Sequence, residues 1–214
     1  MPLAAITDDT VLHDLMWRHT EDAAFSSGLW TLTEIANYLT ERQNAFNAAT
    51  GLVLARATVA VDATSKATLP SDWIATRRVS WLPTSGTLAG RSFAVLPGDR
   101  FTDYGAHQTN ATQPLSYDDH SGGTRVVELL PPTFASSGNL NLLYVSTLTA
   151  LALNPAAPVT FSVPFDFIPY VVYGVMADML SKAGRGQDLA RAAYCEARFA
   201  EGIAVAQLLL EGFA

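Results

Sequence analysis

The side chains with the most chemical potential lie in a long polar segment between Asp99 and Gly123. This segment contains five residues of the types that ligate zinc and other transition metals, Asp103, His107, Asp118, Asp119 and His120. The H-x12-H spacing of the two histidines matches no metal-binding motif, and no helical pattern would hold both rings together. Three interpretations remain open: a solvated loop, a loop that contacts a partner, and a metal site. The first is our expectation, so we assign no metal ligand.

Two other sequence features resemble catalytic motifs without meeting their requirements. Cys195, the single cysteine, lies among alanines in a helical pattern, which is typical of a packed thiol rather than a nucleophile. The run Gly184-Arg185-Gly186 joins two predicted helices, whereas a dinucleotide loop follows a strand and has a third glycine where this chain has Leu189. The sequence therefore predicts no catalytic residue, no cofactor and no enzyme activity.

Composition restricts the class of protein. The chain has 214 residues, of which 49% are hydrophobic, and a formal net charge of -7 from 13 basic and 20 acidic residues. No basic run is present to replace the counterions of a DNA duplex. Arginine greatly outnumbers lysine, which indicates either fixed contacts at interfaces or a bias of the source genome. The single cysteine, the lack of a long apolar run and the lack of a signal pattern predict assembly in the cytoplasm and no membrane contact.

Two helices are predicted near the N-terminus. The first covers Asp8 to His19, where apolar residues recur at helical spacing. The second begins with a capping box formed by Thr31 and Glu34 and ends at Gly51. Two apolar residues occupy the positions of a hydrophobic staple at its start, Trp30 and Ile35.

The middle of the chain is predicted to form strands. Five segments rich in β-branched or apolar residues are separated by proline and glycine, Leu52–Val61, Thr76–Trp81, Phe93–Leu96, Arg125–Leu130 and Leu140–Val145. Short strands with turn signals between them favour a small antiparallel sheet or sandwich. Residues 62–68 are predicted to form a turn, and residues 99–123 a long polar loop.

Two more helices are predicted between Val163 and Ala214. The third begins near Asp166 with Pro169 in its first turn, and the fourth begins near Asp188. Alanines recur every three or four residues along the fourth helix and would let another helix approach closely, Ala190, Ala193, Ala197, Ala200 and Ala204. The chain ends in the apolar sequence LLLEGFA, which either docks on a partner or packs on its own bundle.

These elements predict an α+β fold. We expect a helical bundle of about four helices, two N-terminal and two C-terminal, with an inserted small antiparallel β module. The helical, ring-forming domain would comprise residues 1–51 and 163–214. The β module would comprise residues 52–162, including the polar loop at residues 99–123.

Several motifs resemble the head–tail connector adaptors of tailed phages, also described as neck or tubular adaptor proteins. The C-terminal helices contain an aromatic-Pro start, Tyr-Gly, Gly-x-Gly-Gln-Asp, Arg-Ala-x-Tyr and Arg-Phe-x-Glu-Gly-Ile. Upstream, the sequences TLTEIANYLTERQNAF and LPSDWIATRRVSWLP are similar to the corresponding part of that family. The resemblance covers Thr31–Pro83 and Pro164–Ile203, and none of its motifs is catalytic.

The resemblance implies a structural virion protein of the neck that is assembled in the host cytoplasm. Copies of the chain would form a ring, usually a dodecamer, between the portal protein and a downstream tail or nozzle protein, and DNA would pass through the ring without specific binding. The implied portal-docking residues are Leu208, Leu209, Leu210 and Phe213. The implied tail-facing residues are Tyr104, His107, Tyr117, Asp118, Asp119 and His120.

Two alternatives to this function remain open. One is a tail-completion or tail-tube subunit elsewhere in the virion. The more remote one is a metal-dependent hydrolase that uses the loop histidines, His107 and His120.

Overall fold

The chain divides into two compact units. The computed structural model describes residues 29–98, 113–119, 125–131, 137–151 and 161–211. The helical unit is formed by residues 1–53 and 148–214, and the sheet unit by residues 54–147. The helix predicted at Asp8–His19 lies outside the described residues.

The described part of the helical unit contains three α-helices, α1 (Leu32–Thr50), α2 (Ile168–Ser181) and α3 (Leu189–Glu211), and a 3-10 turn at Phe165–Phe167. The Thr31 hydroxyl accepts a hydrogen bond from the Glu34 N–H (3.2 Å), and the Glu34 carboxylate accepts one from the Thr31 N–H (2.9 Å). Gly51 ends α1 in the left-handed region (φ 67°). The predicted capping box and helix end are therefore confirmed.

Trp30 begins the core of the helical unit. Its ring is buried together with Ile35, as the predicted staple requires. Its indole N–H donates to the Met179 carbonyl near the end of α2 (3.0 Å). The indole thus satisfies one of the carbonyls that a helix leaves unpaired at its C-terminus, while its ring fills the core.

The sheet unit is one sheet of seven strands, β1 (Leu54–Ala60), β2 (Lys66–Thr68), β3 (Trp73–Pro83), β4 (Phe93–Pro97), β5 (Ser116–Asp118), β6 (Val126–Leu130) and β7 (Gly138–Ser146). Their spatial order is β1-β7-β3-β4-β5-β6-β2, and every neighbouring pair is antiparallel except β4 and β5. The two edge strands, β1 and β2, contact each other, so the sheet is nearly closed.

Apolar side chains from most of the strands form the core of the sheet unit. Val79 and Trp81 on β3 are fully buried with Val127 and Leu129 on β6. Gly138 on β7 lies against the Trp81 ring, where any larger residue would collide with the indole. This core is separate from those of the helical unit, because none of its residues belongs to the helical clusters.

The predicted four-helix bundle with a small β module is wrong. The described residues contain three helices, and the β part is a seven-stranded, nearly closed sheet. Two strands were missed, Lys66–Thr68 in the predicted turn and Ser116–Asp118 in the predicted loop. Each has only three residues, too few for alternation to be recognised, and each is defined by its pairing with strand β6.

Candidate assembly surface

Arg42 on α1 joins all three helices of the helical unit. Its Nε and Nη2 atoms donate to the two carboxylate oxygens of Asp178 on α2 (2.7 and 2.5 Å). Its Nη1 atom donates to Glu196 on α3 (3.0 Å), and its guanidinium lies 5.0 Å from the centroid of the Phe199 ring. The hydrogen bonds to Asp178 above all raise the arginine pKa, so the guanidinium is a permanent charge in this cluster.

Two glycines allow α2 and α3 to pack closely. A Cβ atom at Gly174 on α2 would lie 2.8 Å from the Phe199 ring and 3.0 Å from Cδ of Arg42. A Cβ atom at Gly202 on α3 would overlap the Tyr170 ring. Glycine inside a helix normally costs about 1 kcal/mol, and here that cost is offset by close helix packing. Sequence reasoning did not assign this role, although a glycine inside a helical pattern is itself a signal of close packing.

Polar side chains of α1 bind the two extended segments at the junctions with residues 54–147. The Asn47 side chain forms two hydrogen bonds with the Val53 backbone, at 2.8 and 3.1 Å. Three further side chains of α1 bind backbone groups of residues 148–151, Thr40, Gln43 and Asn44. These backbone groups are not paired in a sheet. The side chains of α1 therefore supply the hydrogen-bond partners that they need.

Helix α3 has one buried face and one exposed face. Its buried residues are Ala192, Cys195, Phe199, Gly202 and Ala206. The alanines of the predicted stripe are exposed instead, Ala190, Ala193, Ala197, Ala200 and Ala204. The expectation that this stripe packs on another helix does not hold within the described helical unit, where α3 contacts its neighbours through the other face.

The C-terminal end of α3 is apolar and exposed to solvent. Leu208, Leu209 and Leu210 have 67%, 49% and 37% of their surface exposed, respectively. The fourth predicted docking residue, Phe213, lies outside the described residues. A single exposed leucine is ordinary, whereas three in sequence at a helix end are typical of an interaction surface.

The six predicted tail-facing residues do not share one environment. Tyr104, His107 and His120 lie outside the described residues. Tyr117 and Asp118 are not in a loop, because they form part of strand β5 and are buried. Burial raises the pKa of the Tyr117 hydroxyl, and the charge of the half-buried Asp119 adds to this effect. The prediction of a continuous loop at residues 99–123 is therefore wrong for residues 116–118.

The remaining candidate for chemistry, Cys195, is a packed thiol. Its side chain is buried in the core of the helical unit, and burial raises its pKa, which favours the unreactive protonated form. Within the described ranges, no three or more His, Cys, Asp and Glu side chains are grouped as metal ligands. No described helix combines the length and apolarity needed to cross a bilayer.

The exposed apolar end of α3 is typical of a protein that acts by contacting a partner. The family model of the SU10 adaptor protein matches residues 1–211, and the chain belongs to this family. No curated protein gives a significant match.

Membership of this family confirms the predicted resemblance to phage head–tail adaptors. The family is one of structural phage adaptors and not of enzymes, so the chain is a phage adaptor and a virion component.

Proposed function

We propose that this phage adaptor assembles as a ring under the portal protein, joins it to the next tail or nozzle protein and forms part of the DNA passage. The ring is a dodecamer that forms in the host cytoplasm and remains in the neck of the virion. The end of α3 docks on the portal through Leu208, Leu209 and Leu210, and Phe213 extends the same apolar sequence.

The observation that carries this proposal is the exposure of the end of α3. These leucines lie on a regular helix that ends at Glu211, and the preceding turns of that helix are packed through Phe199, Gly202 and Ala206. An apolar helix end held in this way fits a hydrophobic groove on a partner. The exposed alanines along the same helix leave room for a neighbouring helix to approach closely.

The charge of the chain supports a passage for DNA. The formal net charge is -7, which disfavours adhesion of a polyanion to the wall of a ring. The polar segment at residues 99–123 supplies the tail-facing surface through those of its residues that are not buried.

Binding to a purified portal ring tests the docking surface. A variant with Leu208→Ser, Leu209→Ser and Leu210→Ser loses about 3–6 kcal/mol of apolar burial, so we expect at least a hundredfold lower affinity. Native mass spectrometry of the wild-type mixture should show twelve adaptors on each portal dodecamer. Fluorescence-detected sedimentation measures the affinity of the wild type and of the triple variant for the portal ring.

The matched control is Leu189→Ser, which removes a leucine that is 63% exposed at the other end of the same helix. It should bind the portal as the wild type does. Unchanged portal binding by the triple variant, with the circular dichroism of the wild type, would refute the docking assignment. Location elsewhere in the particle by cryo-electron microscopy would instead identify a tail-completion or tail-tube subunit.

A further inference from the structure

A cleft with a volume of about 420 Å³ lies on the outer face of β1, β7 and β3 in the sheet unit. The strand register places Arg56 on β1 and Arg78 on β3 on either side of Leu143 on β7. Since adjacent strands are about 4.8 Å apart, the two arginine Cα atoms are roughly 10 Å apart. Both arginines are exposed, so their guanidinium groups are accessible from solvent.

A second row of polar residues lies two positions along the same strands. Thr58, Asn141 and Ser80 are aligned across β1, β7 and β3, on the same face as the arginines. The Thr58 hydroxyl donates to the Asn141 side-chain oxygen (2.8 Å). This hydrogen bond leaves the Asn141 amide N–H₂ group available as a donor, next to the Ser80 hydroxyl.

The cleft is therefore rich in donors and carries a positive charge. Two guanidinium groups, one amide and two hydroxyls line it, and none of its lining residues is acidic. Among the described residues, neither Arg56 nor Arg78 has an ion-pair partner. In a chain with a net charge of -7, an arginine pair without carboxylates is complementary to an anionic group from outside the molecule.

We propose that this cleft binds an acidic segment of a partner protein, whose carboxylates form bidentate pairs with Arg56 and Arg78. The planar guanidinium fork matches a carboxylate, and Asn141 and Ser80 donate to its remaining oxygen lone pairs. In an extended segment, alternate side chains lie about 6.7 Å apart on one face, a spacing that two flexible arginines can reach. The aliphatic stems of glutamates would contact Leu143 between the arginines.

Nucleic acid fits the cleft less well than an acidic protein segment. A phosphate backbone binds along a track of several lysines or arginines, whereas this face offers two arginines with a leucine between them. The net charge of the chain repels a polyanion more strongly than a short segment with a few carboxylates. This inference does not depend on ring formation, because it needs only the surface of the sheet unit.

A peptide-binding measurement with the full chain tests the proposal. The probe is a capped, fluorescent peptide with glutamates at three alternate positions, and a peptide with glutamines at those positions is its control. We expect fluorescence anisotropy to show that the glutamate peptide binds with a dissociation constant of about 1 mM or lower. The glutamine peptide should bind at least tenfold more weakly. The double variant Arg56→Gln/Arg78→Gln should bind the glutamate peptide at least tenfold more weakly.

Two further variants separate the cleft from general electrostatics. Arg91→Gln/Arg185→Gln makes the same charge change at exposed positions outside the cleft and should stay within twofold of the wild type. Arg56→Lys/Arg78→Lys keeps the charge but lacks the fork, so its affinity should also fall. No binding of the glutamate peptide, equal losses in the matched control, or tighter binding of a single-stranded oligonucleotide of equal charge would overturn the proposal.

Discussion

The helical unit and the sheet unit are stabilised by different kinds of contact. In the helical unit, specific polar groups join elements that are distant in sequence, above all Arg42 with Asp178 and Glu196. In the sheet unit, strand pairing sets the register, and the core around Trp81 and Leu129 is apolar. The polar ties orient whole helices, whereas the sheet turns one face of its strands to solvent.

The two candidate interaction surfaces differ in the same way. The surface on α3 is apolar and depends on how the polar ties orient the helix. The surface on β1, β7 and β3 is polar and follows from alternation along the strands, which turns Arg56 and Arg78 outward. One unit thus offers apolar burial to a partner, and the other offers charged hydrogen bonds.

The largest expected effect comes from truncating either core. Phe46→Ala in the helical unit and Trp81→Ala in the sheet unit each remove a fully buried aromatic ring, at about 3–5 kcal/mol of unfolding free energy. If the separate cores define separate cooperative units, Phe46→Ala should speed amide exchange mainly in α1, α2 and α3. Trp81→Ala should speed it mainly in the strands. Hydrogen exchange with mass spectrometry measures both.

The wild-type chain under the same conditions is the reference for these exchange rates. Faster exchange throughout the chain in both variants would show one cooperative unit, and the distinction between the two cores would lose its energetic meaning.

A smaller effect is expected from the polar tie at Arg42. The Arg42 side chain is only 18% exposed, and Arg42→Ala leaves Asp178 without its main partner, so we expect a loss of about 2–3 kcal/mol. Urea unfolding followed by circular dichroism measures it as a lower midpoint with an unchanged slope.

Arg198→Ala is the matched control for this change. Arg198 pairs with Glu201 and stacks on Tyr194 within α3 itself, so its removal breaks no tie between helices and should change the midpoint little. Equal losses in the two variants would show that the tie at Arg42 adds nothing beyond an ordinary surface ion pair.

The smallest effect is a pH dependence at the start of α1. The Lys182 ammonium and the Thr31 backbone N–H lower the pKa of the Glu34 carboxyl below 4.5. Because the folded pKa is below the unfolded one, the contribution of Glu34 is fully present well above pH 4.5 and is lost as the pH falls through the folded value. It is small, since a third of the side chain is exposed.

Thermal melts of the wild type and of Glu34→Gln at several pH values measure this contribution. The wild type should be more stable at pH 7, and the difference should narrow below pH 4.5. Glu41→Gln removes a charge from the same helix as a control. A difference between wild type and Glu34→Gln that stays constant down to pH 3 would contradict the assigned role of Glu34.

Sequence reasoning identified the features that depend on neighbouring residues. The capping box at Thr31 and Glu34, the staple of Trp30 on Ile35 and the end of α1 at Gly51 all form as predicted. The longer strands were also located to within a few residues. Each of these signals involves residues within a few positions of one another, where propensity and capping act directly.

Features that depend on tertiary pairing could not be predicted from the sequence. Strand β5 reads as part of a polar loop, yet Tyr117 and Asp118 are buried because β4 and β6 pair on either side. The alanine stripe of α3 reads as a packing face, yet close packing on α2 uses Gly202 on the other side of the helix. Periodicity shows that a helix has a small-residue face, but not which face its neighbours cover.

The sequence by itself determined the approximate bounds of the three described helices, the longer strands and the family, because these depend on local signals and on motifs in a fixed order. Only the tertiary structure decided that Arg42 joins three helices and that Arg56 and Arg78 flank one leucine. It also decided which face of α3 remains open. Such contacts join residues far apart in the chain, and their partners are fixed only when whole helices and strands pack together.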